Sequence, residues 1–223
     1  MRISLIGMSG IGKSHWSSKL AKRGFRRFGC DELIAKRLKS DLITANGRTR
    51  PMGEWMGFPF ESGYESRQQK YLDYEIEVMT ELLDWLESSS SAGDENIVVD
   101  TTGSVIYTGQ SVLERLHRQT EIVYLDMPLA VQEQSRIAYR QDPAPVLWLD
   151  IFDQKPGETN EQALARCYPL LLTSRTMEYR TWADITLDYY QLREESFTTD
   201  DLLSEITRLG HSANSSQNRP VPS

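Results

Sequence analysis

The chain has only two cysteines in 223 residues, Cys30 and Cys167, far apart in sequence and without a C-x-x-C pair. That scarcity argues against a disulfide framework and a cysteine-based zinc site, and fits a reducing cytoplasm. Long apolar runs are missing too. The stretch from Met1 to Gly7 is too short for the core of a secretion signal, and nothing further along approaches a membrane span. Excess positive charge is also absent. With a formal net charge of −7, the chain has no general field to attract nucleic acid or an anionic membrane, so an anionic ligand must be held by locally arranged cations. The expectation is a soluble cytoplasmic protein with neither a nucleic-acid nor a membrane partner. There is no internal repeat.

What is present is an alternation of short apolar runs and amphipathic stretches. Ile3 to Ile6 stops at a glycine as a buried parallel strand does, and Lys13 to Lys22 reads as a helix. Gly24 ends that helix, Phe25 to Phe28 makes a second strand, and Glu32 to Leu38 has helical spacing. From Thr44 to Gly63 glycine, proline and aromatics break any period, in a stretch long enough to bind a ligand. Tyr64 to Leu86 is a long amphipathic helix running into the serines and glycine of 88–93. Strands are expected at Asn96 to Asp100, Glu121 to Leu125 and Asp184 to Leu187. Helices are expected at Ser111 to Arg118, Pro128 to about Tyr139, and Asn160 to Arg180 despite Pro169. Thr198 or Thr199 caps a final helix to Leu209, and His211 to Ser223 reads as a disordered tail. The alternation implies a three-layer α/β fold, with a mainly five-stranded parallel sheet and helices on both faces.

Gly7-Met8-Ser9-Gly10-Ile11-Gly12-Lys13-Ser14 satisfies G-x-x-x-x-G-K-S between a strand and a helix, the context this phosphate-binding loop requires. Glycines let several backbone N–H groups face one point, where the helix N-terminus adds partial positive charge. Lys13 is expected to bridge the terminal phosphates of ATP, and Ser14 to ligate Mg2+. His15 completes the nucleotide-facing set as a partly exposed helix residue. Without N-K-x-D or L-S-G-G-Q, and in so short a chain, small-molecule kinases are the class that remains. Asp100, at the end of a buried strand, has the form of a Walker-B acid that binds a water on Mg2+; the alternative is an aspartate that caps a turn.

Several segments together resemble the shikimate kinase family of P-loop kinases. Leu5 to Ser14 is similar to its first strand and phosphate loop, and Phe28-Gly29-Cys30-Asp31-Glu32-Leu33-Ile34 to its F-x-D-x-D-x-x-I, with Gly29 at the first aspartate and Asp31 at the second. The resemblance implies that Asp31 orients or deprotonates the acceptor hydroxyl; an N-cap role is the alternative. Gly63-Tyr64-Glu65-Ser66-Arg67 resembles G-E-x-x-F-R, with Arg67 one position from the arginine that binds the substrate carboxylate. Thr101-Thr102-Gly103-Ser104 occupies the place of the triple-glycine turn, so Thr102, Gly103 and Ser104 become candidate acceptor contacts. Arg175 to Ile185 resembles R-x-P-L-Y-x-x-x-A-D-I, and makes Arg175 the second anion ligand. Arg136 stands where the family packs an arginine on adenine. The R-P-L-L lid is replaced by Pro143-Ala144-Pro145-Val146-Leu147, leaving Arg140 to reach the phosphates.

The resemblance implies a kinase domain over residues 1–210, with an acceptor-binding segment near 31–90 and a lid near 140–160. Its partners are ATP with Mg2+ and a small hydroxylated acceptor bearing an anionic group. Two other readings stay open: a kinase for another acceptor (a sugar acid, nucleoside or nucleotide), and a nucleotide-binding switch without efficient transfer.

Overall fold

A computed structural model describes residues 1–89, 95–141 and 144–214, without the side chains of 132–133 and 211–214. Five strands form one sheet: β1 (Arg2–Ile6), β2 (Arg26–Gly29), β3 (Ile97–Asp100), β4 (Glu121–Leu125) and β5 (Ile185–Leu187). The order is β2-β3-β1-β4-β5 and every pairing is parallel. Burial on both faces explains the uninterrupted apolar runs: Ile3, Leu5, Val98, Val99, Ile122 and Val123 are all fully enclosed.

The helices are α1 (Lys13–Lys22), α2 (Cys30–Arg37), α3 (Lys39–Leu42), α4 (Met52–Met56), α5 (Tyr64–Ser88), α6 (Gln110–Gln119), α7 (Leu129–Gln141), α8 (Asn160–Trp182) and α9 (Thr199–Asn214). They cover both faces of the sheet. α1 packs on β1, β2, β3 and α9, while α6 and α8 reach β4, and α5 packs on α2 and α6. Each expected strand and long helix is present. The irregular segment 44–63 contains the short α4, which its glycines and prolines concealed, and the short α3 lies just before it.

Caps explain where α8 and α9 begin. Thr159 and Gln162 form a reciprocal capping box at α8, and Thr198 does the same with Asp201 at α9. α9 continues to Asn214, so residues 211–214, read from sequence as tail, are helical; 215–223 lie outside the described residues. So do Pro143 of the lid motif and residues 90–94 after α5.

The topology positions the site. β1 is central, and its neighbours β3 and β4 carry their C-terminal ends to the same edge, Leu5 pairing with Asp100 and Ile6 with Tyr124. Loops following β1, β2 and β3 therefore converge, as in open parallel sheets generally.

Candidate active site

The loop between β1 and α1 turns at glycines that no other residue could replace cheaply. Gly7 has φ 142°, and a Cβ there would lie 2.8 Å from the Leu125 carbonyl oxygen; Gly12 has φ 113°. Lys13 is buried, and its Nζ donates to the carbonyls of Gly7 at 2.8 Å and Met8 at 3.0 Å. Burial draws its pKa below the ordinary value, while Asp31 and Asp100 pull the other way. Ser9, Gly10, Gly12, Lys13, Ser14 and His15 all line one cleft of about 370 Å³, whose far wall is Asp31, Tyr71, Gly103, Pro145 and Arg175. Phosphate-loop and acceptor-side candidates thus meet in one space.

Asp31 lies in the first turn of α2 and makes no capping hydrogen bond, so its carboxylate is directed to other work. The Tyr71 hydroxyl donates to its Oδ1 at 2.9 Å. Desolvation by the surrounding walls raises its pKa, although Lys13 and the Tyr71 bond oppose the rise. A carboxylate so placed is a better proton acceptor than a free one.

Arg175 is 3% exposed and links two segments: Nη1 donates to the Gly103 carbonyl at 3.0 Å and Nη2 to the Leu147 carbonyl at 2.8 Å. Tyr179 donates to the same Gly103 oxygen. Gly103 is closely confined, since a Cβ there would sit 3.2 Å from the Ser9 nitrogen.

Residues 144–152 form a roof anchored on α5. Trp148 is fully buried; its backbone N–H donates to Gln68 Oε1 at 2.6 Å, and its indole N–H to the Tyr139 hydroxyl at 3.1 Å. The Tyr64 hydroxyl donates to the Val146 carbonyl at 2.6 Å. Part of the expected lid is therefore a packed wall, with Pro145 facing the cleft.

Other sequence candidates lie elsewhere. Arg67 does not line the cleft: its Nε bonds the Met56 carbonyl at 2.8 Å and its Nη1 the Ser62 carbonyl at 3.2 Å, which fixes the chain entering α5. Thr102 and Ser104 are both 2% exposed and turn inward, donating to the two carboxylate oxygens of Glu75, with Ser104 at 2.6 Å. Arg140 pairs with Glu161 at 2.5 Å across α7 and α8. Arg136 is half-buried on α7 and lines neither the phosphate cleft nor the one beside it.

Asp100 is buried and does not cap the following turn. Its Oδ2 accepts from Ser17 at 2.9 Å and from Arg27 at 2.7 Å, and Arg27 also pairs with Glu32 at 2.7 Å. Arg27, Ser17, Tyr71 and Glu75 belong to this neighbourhood but carry no local motif. Glu75 did carry a signal: it is the acidic residue on the apolar stripe that Tyr71, Val78, Met79 and Leu82 define.

A second cleft, of about 350 Å³, shares Gly12 and His15 with the first and is lined by Ile11, Trp16, Lys19, Arg193 and Phe197. Trp16 and Phe197 meet edge to face at 5.6 Å, and Arg193 Nη2 donates to the Ile11 carbonyl at 3.1 Å. It opens directly beside the phosphate loop.

No family model and no curated protein sequence matches the chain. Solved structures do. A shikimate kinase from Acinetobacter baumannii in complex with shikimate is similar with a TM-score of 0.58 and 22% identity, over 97% of this chain and 95% of that one. Shikimate kinases from Bacteroides thetaiotaomicron and Aquifex aeolicus vf5 each give a TM-score of 0.54, at 18% and 19% identity. The former covers 96% of this chain and 98% of its own, and the latter 97% and 100%. The chain has the P-loop fold of the shikimate kinases.

Proposed function

We propose that this protein is a kinase that transfers the terminal phosphoryl group of ATP to a hydroxyl of a small acceptor. The observation that carries the reading is the single cleft in which Lys13, Asp31 and Arg175 meet beside the phosphate loop. The phosphates lie in the loop against its N–H groups and Lys13, whose charge offsets that developing on the transferred group. Lys13 leaves the carbonyls of Gly7 and Met8 to do so. The nucleoside extends past Gly12 and His15 into the second cleft, where Trp16, Phe197 and the Arg193 guanidinium supply flat surfaces for a base.

The oxygen donors fit Mg2+. Ser14 offers a hydroxyl at the cleft, and among the described residues no group of three or more His, Cys, Asp or Glu is placed to hold a metal. The Ser14 hydroxyl, a hard oxygen donor, suits a cation that would arrive on the nucleotide with its phosphate and water ligands. Mg2+ supplies charge neutralisation between the phosphates when bound. Asp100 orders this end of β3 through Ser17 and Arg27.

Asp31 faces the acceptor. Held by Tyr71, it orients the attacking hydroxyl and accepts its proton as the oxygen–phosphorus bond forms and ADP departs. Arg175 supplies the cation on the acceptor side of the cleft, and a negatively charged group on the acceptor is its natural partner. The similar kinase from Acinetobacter baumannii is in complex with shikimate. Here Arg175 lines the cleft while Arg67, Thr102 and Ser104 do not, which favours an acceptor held otherwise than by two arginines and a glycine turn.

ADP release measured with ATP, Mg2+ and a panel of small hydroxylated acids and neutral polyols tests the reading. Acceptor-dependent release that is greatest for a monoanionic acceptor is the expected result. Tight ATP binding with no acceptor-dependent release across the panel would replace the kinase with a nucleotide-binding switch.

A further inference from the structure

Glu75 is a fully buried acid that none of the steps above uses. It lies one helical turn beyond Tyr71, the residue that holds Asp31, yet both its oxygens point to the turn after β3. Thr102 donates to Oε1 and Ser104 to Oε2, and the Thr102 oxygen also accepts the Ser104 backbone N–H at 3.0 Å. Gly103, between these two anchors, has little freedom. Its carbonyl holds Arg175 and Tyr179, and its Cα faces the backbone of Ser9.

A carboxylate buried against two hydroxyls, with no cation bonded to it, is unfavourable for folding. A leucine or methionine would continue the apolar stripe of α5 more stably. The acid is matched to the turn instead: when ionised, each of its two oxygens accepts from one of the hydroxyls.

We propose that Glu75 is a positioning residue for the acceptor: by gripping Thr102 and Ser104 from beneath, it fixes the Gly103 carbonyl and, through that oxygen, the Arg175 guanidinium at the cleft wall. The acceptor is then read by Arg175 and the backbone of the turn, not by the two hydroxyls. The kinetic consequence depends on the kinase reading; the geometric one does not.

Glu75→Gln tests both. The amide keeps the size of the acid but turns one accepting oxygen into a donor, so one hydroxyl must rotate to accept from it and two charge-assisted bonds become neutral ones, which weakens the grip. In the full chain, backbone hydrogen exchange over 101–107 is expected to rise about tenfold while that of β1 and α1 stays level. The acceptor KM is expected to rise about tenfold, with kcat and the ATP Kd within about twofold. Tm at pH 8 should not fall. Ser104→Thr, which retains the hydroxyl, should keep exchange and KM near native, whereas Ser104→Ala should reproduce the loosened turn.

Unchanged exchange over 101–107 in both Glu75→Gln and Ser104→Ala would overturn the proposal. So would a fall in Tm with KM and ATP affinity weakened together, the pattern of a residue that only packs. If the native chain shows no acceptor-dependent ADP release while exchange rises as expected, the kinase reading fails and the grip of Glu75 on the turn stands.

Discussion

Replacing Glu75 with glutamine should make the folded protein more stable at alkaline pH than at acid pH, relative to the native chain. The carboxyl, ordinarily titrating at 4.5, is pushed up to about 7 by burial and by the nearby Asp31, against the Ser104 and Thr102 hydrogen bonds and the Arg175 charge. Because the folded state then holds the proton more tightly than the unfolded one, its stabilising contribution is complete below pH 4.5 and is lost as pH rises through about 7. The loss corresponds to about 3 kcal/mol at pH 8, at about 1.4 kcal/mol for each tenfold change in proton concentration. Glutamine does not titrate. Urea unfolding of both proteins at pH 5, 6, 7 and 8 should show the variant gaining about 2 to 3 kcal/mol on the native chain across the series. Asp31 also titrates above its ordinary range, and since it repels Glu75, loss of the Glu75 charge eases its ionisation and adds to the variant's gain as pH rises. A difference that stays flat with pH, or that grows toward acid, would refute the reasoning.

Three further outcomes are expected. Lys13→Ala should lower single-turnover phosphoryl transfer by about 100-fold or more with an unchanged circular dichroism spectrum, because it removes charge stabilisation without opening the sheet; near-normal turnover would unseat the phosphate-loop assignment. Asp31→Asn should reduce kcat by roughly 10²- to 10⁴-fold while calorimetric ATP affinity changes little; the reverse pattern would assign Asp31 to the nucleotide. Trp148→Ala should cost about 3 to 5 kcal/mol in urea unfolding, since the ring is enclosed by Tyr139, Phe152 and Tyr168, and a loss below about 1 kcal/mol would show that the roof is not a packed part of the core.

The sequence revealed those parts of the site that a few neighbouring residues build by themselves. The phosphate loop is contiguous, and the buried strands announce themselves by short apolar runs ending in Gly7, Asp100 and Asp126. That Asp31 and Arg175 stand on one cleft with the phosphate loop was also legible, the first just past a strand and the second in a stretch of near-continuous resemblance. Arg67 misled because an arginine at the start of a helix looks the same in sequence whether its guanidinium reaches a ligand or the carbonyls of Met56 and Ser62. Thr102 and Ser104 looked like ligand hydroxyls for the same reason: their partner stands on another element, at position 75. Arg193 and Phe197 lie almost 200 residues from the phosphate loop they flank, and no local period marks them. The roof was expected to be a lid from its place in the family resemblance, whereas Trp148 and its bond to Gln68 of α5 hold it as a packed wall.

Arg175 holds the Gly103 carbonyl with one terminal nitrogen and the Leu147 carbonyl with the other. Floor and ceiling of the cleft are in this way tied to a single rigid fork, and neither can shift without dragging the other. A molecule that presses on Pro145 strains a linkage whose opposite end abuts Ser9 in the phosphate loop. On the kinase reading proposed above, filling the acceptor space and seating the phosphates would then be coupled through that one side chain.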